Sequence, residues 1–433
     1  MRWITRARRR ATPRSRNAAL RPAAGHASRG PGATAHRTVV AALAVCVLGL
    51  AACTGGDATT RTSGTQGPTG APTRAPTTAP PATTTTAPPA TTPAQQATGP
   101  TGTPTGAVDV VTGLTAPWGI AFLPDGTALV TLRDDRRLVE VAPDGATTPV
   151  TGPGADELRD TVVHRGEGGL LGVAVLAPGA GGDGRSADVA LYATTASDNR
   201  VLRGTLTGHT LGTLTPILTG IHQASNHDGG RLAVGPDGYL YVTTGDATDR
   251  PDAQDRTSLN GKILRITPDG DPAPGNPVPG SPVWSSGHRN VQGIGWSADG
   301  RMFASEFGQS TWDELNLIVK GGNYGWPTVE GIAHDDRFRD PLVQWHTDQA
   351  SPSGLAVTPD AVYLAALHGA RLWRVPLTAD GVGTPQALFT DTYGRLRAVA
   401  VTPTGELWVL TNNTDGRGDP QPGDDRILRL TFG

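Results

Sequence analysis

Three observations predict an all-β fold, a six-bladed β-propeller of four-stranded antiparallel blades. Short apolar runs bounded by Pro-Asp-Gly and related turns fill the chain after residue 107, with no convincing amphipathic helix among them. One motif, strand then turn then strand, recurs as IAFLPDGTALVTL (120–132), LAVGPDGYLYVTTGD (232–246), IGWSADGRMFASEFG (294–308), LAVTPDAVYLAALHG (355–369) and VAVTPTGELWVLTN (399–412), with a looser copy at 173–195. Each copy is followed by a third strand: RRLVEVAPDG, RVLRGTL, KILRITPDG, ELNLIVKGG, RLWRVPL and RILRLTF. Six copies spaced by roughly 45–60 residues fit propeller blades better than a seven-bladed ring or a sandwich. VDVVTGL (108–114) supplies a strand to close the ring against the last blade.

The segments before the propeller have other compositions. Residues 1–37 hold ten arginines and no acid, and an apolar run, Val39–Leu50, follows. This is the layout of a secretory leader, and the run is too short to span a bilayer as a helix. Leu50-Ala51-Ala52-Cys53 is similar to a bacterial lipobox, which assigns 1–53 to a lipoprotein signal with Cys53 as the lipid anchor. The unusually long basic stretch leaves room for a start codon further downstream. Residues 54–106 are Thr, Pro, Ala and Gly with almost no large apolar side chains, a composition expected to form a disordered tether. The predicted propeller is then 107–433.

Both cysteines, Cys46 and Cys53, lie in or at the leader, so the folded part has no disulfide, thiol nucleophile or thiolate metal site. All 39 acidic residues follow Cys53, against 27 of the 37 basic ones, a balance of about −12. That charge argues against a nucleic-acid partner. It also gives the remaining arginines a presumption of specific tasks.

A propeller takes ligands at the channel mouth, just after its inner strands, where Gly245-Asp246, Glu306-Phe307-Gly308 and Leu367-His368-Gly369 are expected to lie. Other residues able to do chemistry fall on loops between the repeats. His227, within Asn226-His227-Asp228-Gly229-Gly230-Arg231, is flanked by small residues and suits a general base near neutral pH. The alternative is a loop histidine bonded to backbone carbonyls. Arg289, Asn290, Arg395 and Arg397 put further polar donors on such loops; arginines two apart on a strand point the same way and can clamp carboxylates. Pairing with local acids is their alternative. The run GHRNVQGIGWSADGRMFASEFGQSTWDELNLIVKGGNYGW (287–326) sets cations beside carboxylates and glycines. It suits an anionic ligand held with a hard metal ion, or else a salt-bridged surface loop.

EGGLLG (167–172), NHDGGRL (226–232), GHRNVQG (287–293), SEFG followed by DELNLIVKGGNYGW (305–326), and RLRAV (395–399) together resemble the soluble quinoprotein glucose/sorbosone dehydrogenases. The resemblance runs over 107–433. It implies a six-bladed propeller holding pyrroloquinoline quinone (PQQ) over the channel, with Ca2+. It implies His227 as the base that takes the substrate hydroxyl proton while a hydride passes to the quinone, and Arg289 as the group polarising the quinone oxygen. Asn290, Arg395 and Arg397 would bind the cofactor, with Glu167 and His368 beside it. Carbonyls of Gly308 and Gln309 would hold the catalytic calcium; Glu314 and the Tyr324 carbonyl, with Asp335 or Asp336, would hold a second one.

The chain departs from the glucose enzymes at three of these positions. His368 replaces a lysine, Glu167 an amide, and Asn226 an acid. A long insertion that shapes the sugar pocket and dimer contact is also missing between Trp326 and Ser353. The function expected is an exported, PQQ-dependent oxidation of an aldose sugar or related polyol or aldehyde, with electrons passed to an external acceptor, by a monomer or weak dimer. The alternative is an inactive propeller that captures a carbohydrate or partner from a lipid-anchored stalk. A calcium-dependent lactonase fits poorly, because the positions that would need carboxylates are mostly basic.

Overall fold

The computed structural model describes residues 99–179 and 184–433. The assigned leader, 1–53, and all of the assigned tether before residue 99 lie outside the described residues. The rest forms six antiparallel sheets in chain order, a six-bladed propeller. Six strands form the inner ring: Pro117–Phe122, Leu170–Pro178, Leu232–Val234, Val291–Trp296, Pro352–Val357 and Leu396–Val401. Each touches the next, and the last touches the first. Glycines permit this closeness: a Cβ on Gly119 would lie 2.7 Å from the Leu171 carbonyl oxygen, and one on Gly293 would lie 2.5 Å from that of Ser353.

The turns of the five clear copies form as read. In the first, Leu123 N donates to Thr127 O at 2.8 Å, and Asp125 Oδ1 accepts from Thr127 N at 2.9 Å. Apolar side chains of neighbouring blades interdigitate between the sheets; Leu129, Leu138, Leu170, Val189 and Leu191 fill the space between the first and second blades. Each of these is fully or almost fully buried, and truncating one to Ala typically costs about 2–5 kcal/mol.

The last blade is completed by the first strand of the described chain. Pro104–Val111 pairs antiparallel with Ile427–Phe432, from Pro104 opposite Phe432 to Val111 opposite Ile427. A closing strand was expected at 108–114, so its role is as predicted but it starts four residues earlier. Upstream of it, the Gly102 carbonyl accepts from Tyr363 Oη (2.8 Å) and Arg374 Nε (3.0 Å), and Gly102 N donates to Asp360 Oδ2 (2.8 Å). The ordered fold thus begins before residue 107.

Two other differences bear on the site. An α-helix, Pro153–Thr161, links the first two blades where no helix was expected. It is short, starts on a proline, and buries Leu158 completely. The segments Gly245-Asp246, Glu306-Phe307-Gly308 and Leu367-His368-Gly369, expected after inner strands, instead lie at the ends of the second strands, Leu240–Thr243, Met302–Glu306 and Ala361–Ala366. In an antiparallel pair the end of the second strand lies beside the start of the first, so these segments still reach the same face as the loops that lead into the blades.

Candidate active site at the channel mouth

The mouth of the channel is lined by Trp118, Arg133, Glu167, Gln292, Phe307 and Leu367, with Arg397 and Arg417 at its side. Every blade except the third contributes. The third brings His227 to the rim, where its amide donates to Glu167 Oε2.

His227 stands in the loop leading into Leu232–Val234 with a left-handed backbone, φ 63°. That conformation is costly outside glycine and needs a reason. Its neighbours supply one. Gly229 packs on the end of the second strand, where a Cβ would come 2.5 Å from Thr244 Cα, and a Cβ on Gly245 would overlap the His227 carbonyl. The histidine backbone is thereby pressed against Gly245 and the adjacent Asp246. His227 Nδ1 lies 2.6 Å from Asp246 Oδ1, and His227 N donates to Glu167 Oε2 at 3.0 Å.

Asp246 is fully buried. Burial opposes its ionisation, but bonds from His227, the Thr248 amide and the Trp326 indole outweigh it and hold the carboxyl below its usual range. An ionised carboxylate on Nδ1 fixes the imidazole with Nε2 free to accept a proton. Asp228, next in sequence, faces away from this pair. Its Oδ1 accepts from Asn199 Nδ2 (2.9 Å) and Ala224 N (3.2 Å), and burial pushes its carboxyl up to about 6.

Arg289 enters from the loop before Val291–Trp296. Its amide donates to Glu306 Oε1 at 2.5 Å, and Nη1 donates to the carbonyls of Phe307 (3.2 Å) and Gly308 (2.5 Å). Burial lowers the affinity of its guanidinium for the proton, against the pull of Asp246, Glu330, Glu167 and Glu306. Behind it, His288 Nδ1 meets Glu306 Oε2 at 2.8 Å, and its ring stacks on Tyr324 with centroids 4.7 Å apart. Asn290 is buried, its Oδ1 accepting from Gly229 N at 3.0 Å.

On the opposite side, Arg395 and Arg397 both reach one carboxylate. Asp415 Oδ2 is 3.1 Å from Arg395 Nη2 and 3.7 Å from Arg397 Nη2. The two guanidiniums outweigh burial and hold Asp415 ionised. Arg397 is buried and also bonded to Asn412 Oδ1 (2.6 Å), Gln292 Oε1 (3.0 Å) and Ser353 Oγ (3.3 Å). The arginines therefore point the same way, as strand alternation requires, with a local acid already between them. Two cations against one anion leave a net positive wall.

Residues 114–428 match the glucose/sorbosone dehydrogenase family. The chain belongs to this family. It is 49% identical to an aldose sugar dehydrogenase from Streptomyces coelicolor solved in PQQ-bound form, covering 75% of this chain and 96% of that one with a TM-score of 0.69. A structure from Thermus thermophilus, described as a putative oxidoreductase (glucose dehydrogenase), shares 43% identity over 75% of this chain and 99% of its own, with a TM-score of 0.68. Aldose sugar dehydrogenase YliI of Escherichia coli K12 is 30% identical over 348 residues, 69% of this chain and 88% of its own length.

The polar atoms left over at the mouth bear on the PQQ that the S. coelicolor relative holds. Arg289 Nε, Asn290 Nδ2, Arg395 Nε and Arg231 Nη2 are buried N–H donors without a protein acceptor. All four belong to side chains of the segments that converge on the mouth, and an acceptor-rich polyanion suits such a set. Asn290 and Arg395 thus keep donors to offer, whereas Arg397 reaches the mouth with its charge largely committed. His368 is exposed at the rim, its Nδ1 3.3 Å from the Thr347 carbonyl.

The metal-ligand candidates fall into two places. Gly308 and Gln309 begin a loop whose next amides wrap one carboxylate oxygen: Glu330 Oε1 accepts from Gln309 (2.8 Å) and from Ser310, Thr311 and Trp312 (3.1 Å each). Asp313 Oδ1 accepts from Gly308 N at 2.9 Å. With the amides turned to these acids, the Gly308 carbonyl faces the site, where Arg289 meets it. Glu314 lies apart on the neighbouring strand, opposite Glu306, and accepts from Asn316 Nδ2 (3.0 Å) and Gly331 N (2.7 Å). Burial, and then Glu306, pushes its carboxyl up to about 8. Tyr324 gives its hydroxyl to the Leu317 carbonyl at 2.6 Å, and the Asp335 side chain is taken by Arg337. Among the described residues no group of three His, Cys, Asp or Glu side chains is placed to hold a metal ion.

Sequence reasoning placed Asp246 at this face without a role and passed over Trp326, Glu330 and Asp415. The signal for Asp246 was present, an acid ending TTGD at the face where NHDGG emerges. Glu330→Ala is expected to free four backbone amides and destabilise the protein by about 1–3 kcal/mol, read by chemical denaturation, with looser cofactor binding as a second effect.

Proposed function

We propose that this protein is an exported PQQ-dependent dehydrogenase that oxidises an aldose sugar or a related polyol or aldehyde. The observation that carries the reading is the His227–Asp246 pair beside Arg289, on a mouth with spare buried N–H donors. When bound, the cofactor supplies the electrophilic quinone carbon that accepts a hydride. The protein does the rest.

Asp246 holds the proton of His227 on Nδ1, so Nε2 takes the proton from the substrate hydroxyl as the adjacent C–H bond breaks. The same carboxylate then stabilises the imidazolium. Arg289 would offer the cofactor a fixed guanidinium suited to stabilising negative charge. Asn290 and Arg395 offer hydrogen bonds to the cofactor, and Arg397 adds positive charge to its wall. Trp118, Phe307 and Leu367 supply the apolar part of the mouth's lining. The carbonyls of Gly308 and Gln309 would hold the catalytic calcium, and Glu314 with the Tyr324 carbonyl and Asp335 a structural one.

Export rests on the leader and Leu50-Ala51-Ala52-Cys53, which would leave the propeller lipid-anchored at Cys53 behind the tether. Among the described residues no helix is long and apolar enough to cross a membrane.

The deciding experiment reconstitutes the purified protein with PQQ and calcium and follows quinone absorbance, then dye reduction, across a panel of aldoses. Stoichiometric binding with sugar-dependent reduction is expected. Failure to bind PQQ with calcium present would overturn the reading.

A further inference from the structure

Asp246 divides its two oxygens between two tasks. Oδ1 takes His227 Nδ1 and the Thr248 amide, at 2.6 and 2.8 Å. Oδ2 takes one donor, the indole Nε1 of Trp326, at 2.8 Å. That indole comes from a different blade, 80 residues further along the chain. It is buried, and its backbone is fixed on both sides: Trp326 N donates to the Gly287 carbonyl at 3.0 Å, and its own carbonyl accepts from Gln254 Nε2 at 2.6 Å. The ring also lies against two guanidiniums, with Arg289 5.4 Å and Arg250 5.5 Å from the centroid. One side chain therefore touches both the partner of the base and the cation beside the base.

We infer that Trp326 is a positioning residue for His227: its indole N–H fixes the rotation of the Asp246 carboxylate, and the carboxylate in turn keeps the imidazole proton on Nδ1. The inference rests on the proposed role of His227 as the base. Its physical content is the second acceptor. A fully buried carboxylate oxygen without a donor is expensive, so loss of the indole N–H leaves Oδ2 unsatisfied and favours rotation of the whole group toward other donors. A rotated Asp246 holds Nδ1 less well, the imidazole then populates both tautomers, and only one leaves Nε2 able to accept a proton. Packing cannot do this job, because a phenyl ring in the same place has the contacts without the donor.

The test replaces Trp326 by Phe. The expected result is a kcat lowered about tenfold, equal to roughly 1.4 kcal/mol of transition-state stabilisation, with KM and PQQ affinity changed less than about twofold. A role confined to packing would instead lower the melting temperature and leave the kinetics of the surviving protein alone. The second readout uses no cofactor. The 15N shifts of the His227 imidazole in the apoprotein are expected to show a single tautomer, protonated at Nδ1, in the parent chain and a mixture in Trp326→Phe. If the Phe variant fails to fold, β-(3-benzothienyl)alanine at position 326 keeps the bicyclic ring and deletes only the N–H. An unchanged tautomer and unchanged kcat in either variant would overturn the inference. Absence of turnover in the parent chain would instead overturn the proposed function, while the apoprotein spectra would still decide the role of Trp326.

Discussion

A His227→Asn variant is expected to lose sugar oxidation by about 10³-fold in kcat, within the 10²–10⁴ span of a removed general base, while binding PQQ as tightly as the parent chain. Asn is the informative replacement because the backbone at 227 is left-handed, φ 63°, and Asn tolerates that region better than Ala. A drop in activity then reports lost chemistry and not a distorted loop. Asp246→Asn should approach the same loss, because an amide facing Nδ1 favours the tautomer that leaves Nε2 protonated. Dye-linked turnover measures the first quantity, and titration of the apoprotein followed by quinone absorbance measures the second. Residual turnover within tenfold of the parent would move the base elsewhere, and a parallel loss of PQQ binding would make His227 part of the cofactor cradle.

Deletion of residues 99–111 is expected to cost more stability than any single substitution. It would leave Ile427–Phe432 as an unpaired edge and deprive Tyr363 and Arg374 of the Gly102 carbonyl. Apolar surface under the last blade, including Leu428 and Leu430, loses its cover at the same time. The loss is expected to exceed about 5 kcal/mol, the lower end of the stability of a whole domain, so the truncated chain should unfold without a cooperative transition. Calorimetry beside the parent protein checks this. A melting temperature within about 5 °C of the parent would show that the ring holds without its closing strand.

The six-fold repeat was legible because its signals are local. A Pro-Asp-Gly turn and its two flanking strands lie within about fifteen residues of sequence, and each strand faces its partner directly. Which of the two lines the channel is not a local property. The sequence therefore put His368 and Gly308 after inner strands, and the structure puts them after second strands. The start of the closing strand was set by pairing with Phe432, and Pro104, Thr105 and Gly106 carry little strand preference of their own. The helix Pro153–Thr161 is too short for its periodicity to stand out.

In the site, His227 and Arg289 could be read from motifs. Their partners could not, because Asp246 acts 19 residues from His227 and Trp326 acts 80 residues from Asp246. Arg395 and Arg397 were expected to face a ligand. They do share a direction, but Asp415, 20 residues beyond Arg395, takes part of their charge.

Joining Pro104 to Phe432 also fixes when the molecule can finish folding. The two strands of the seam stand far apart in sequence, and the seam forms only once Ile427–Phe432 has been made. Five blades can assemble in order as they emerge, but the sixth must wait with its edge open. Contacts this distant in sequence make completion slow, and the nearly finished ring is the stage at which an exposed edge is most open to pairing with another chain.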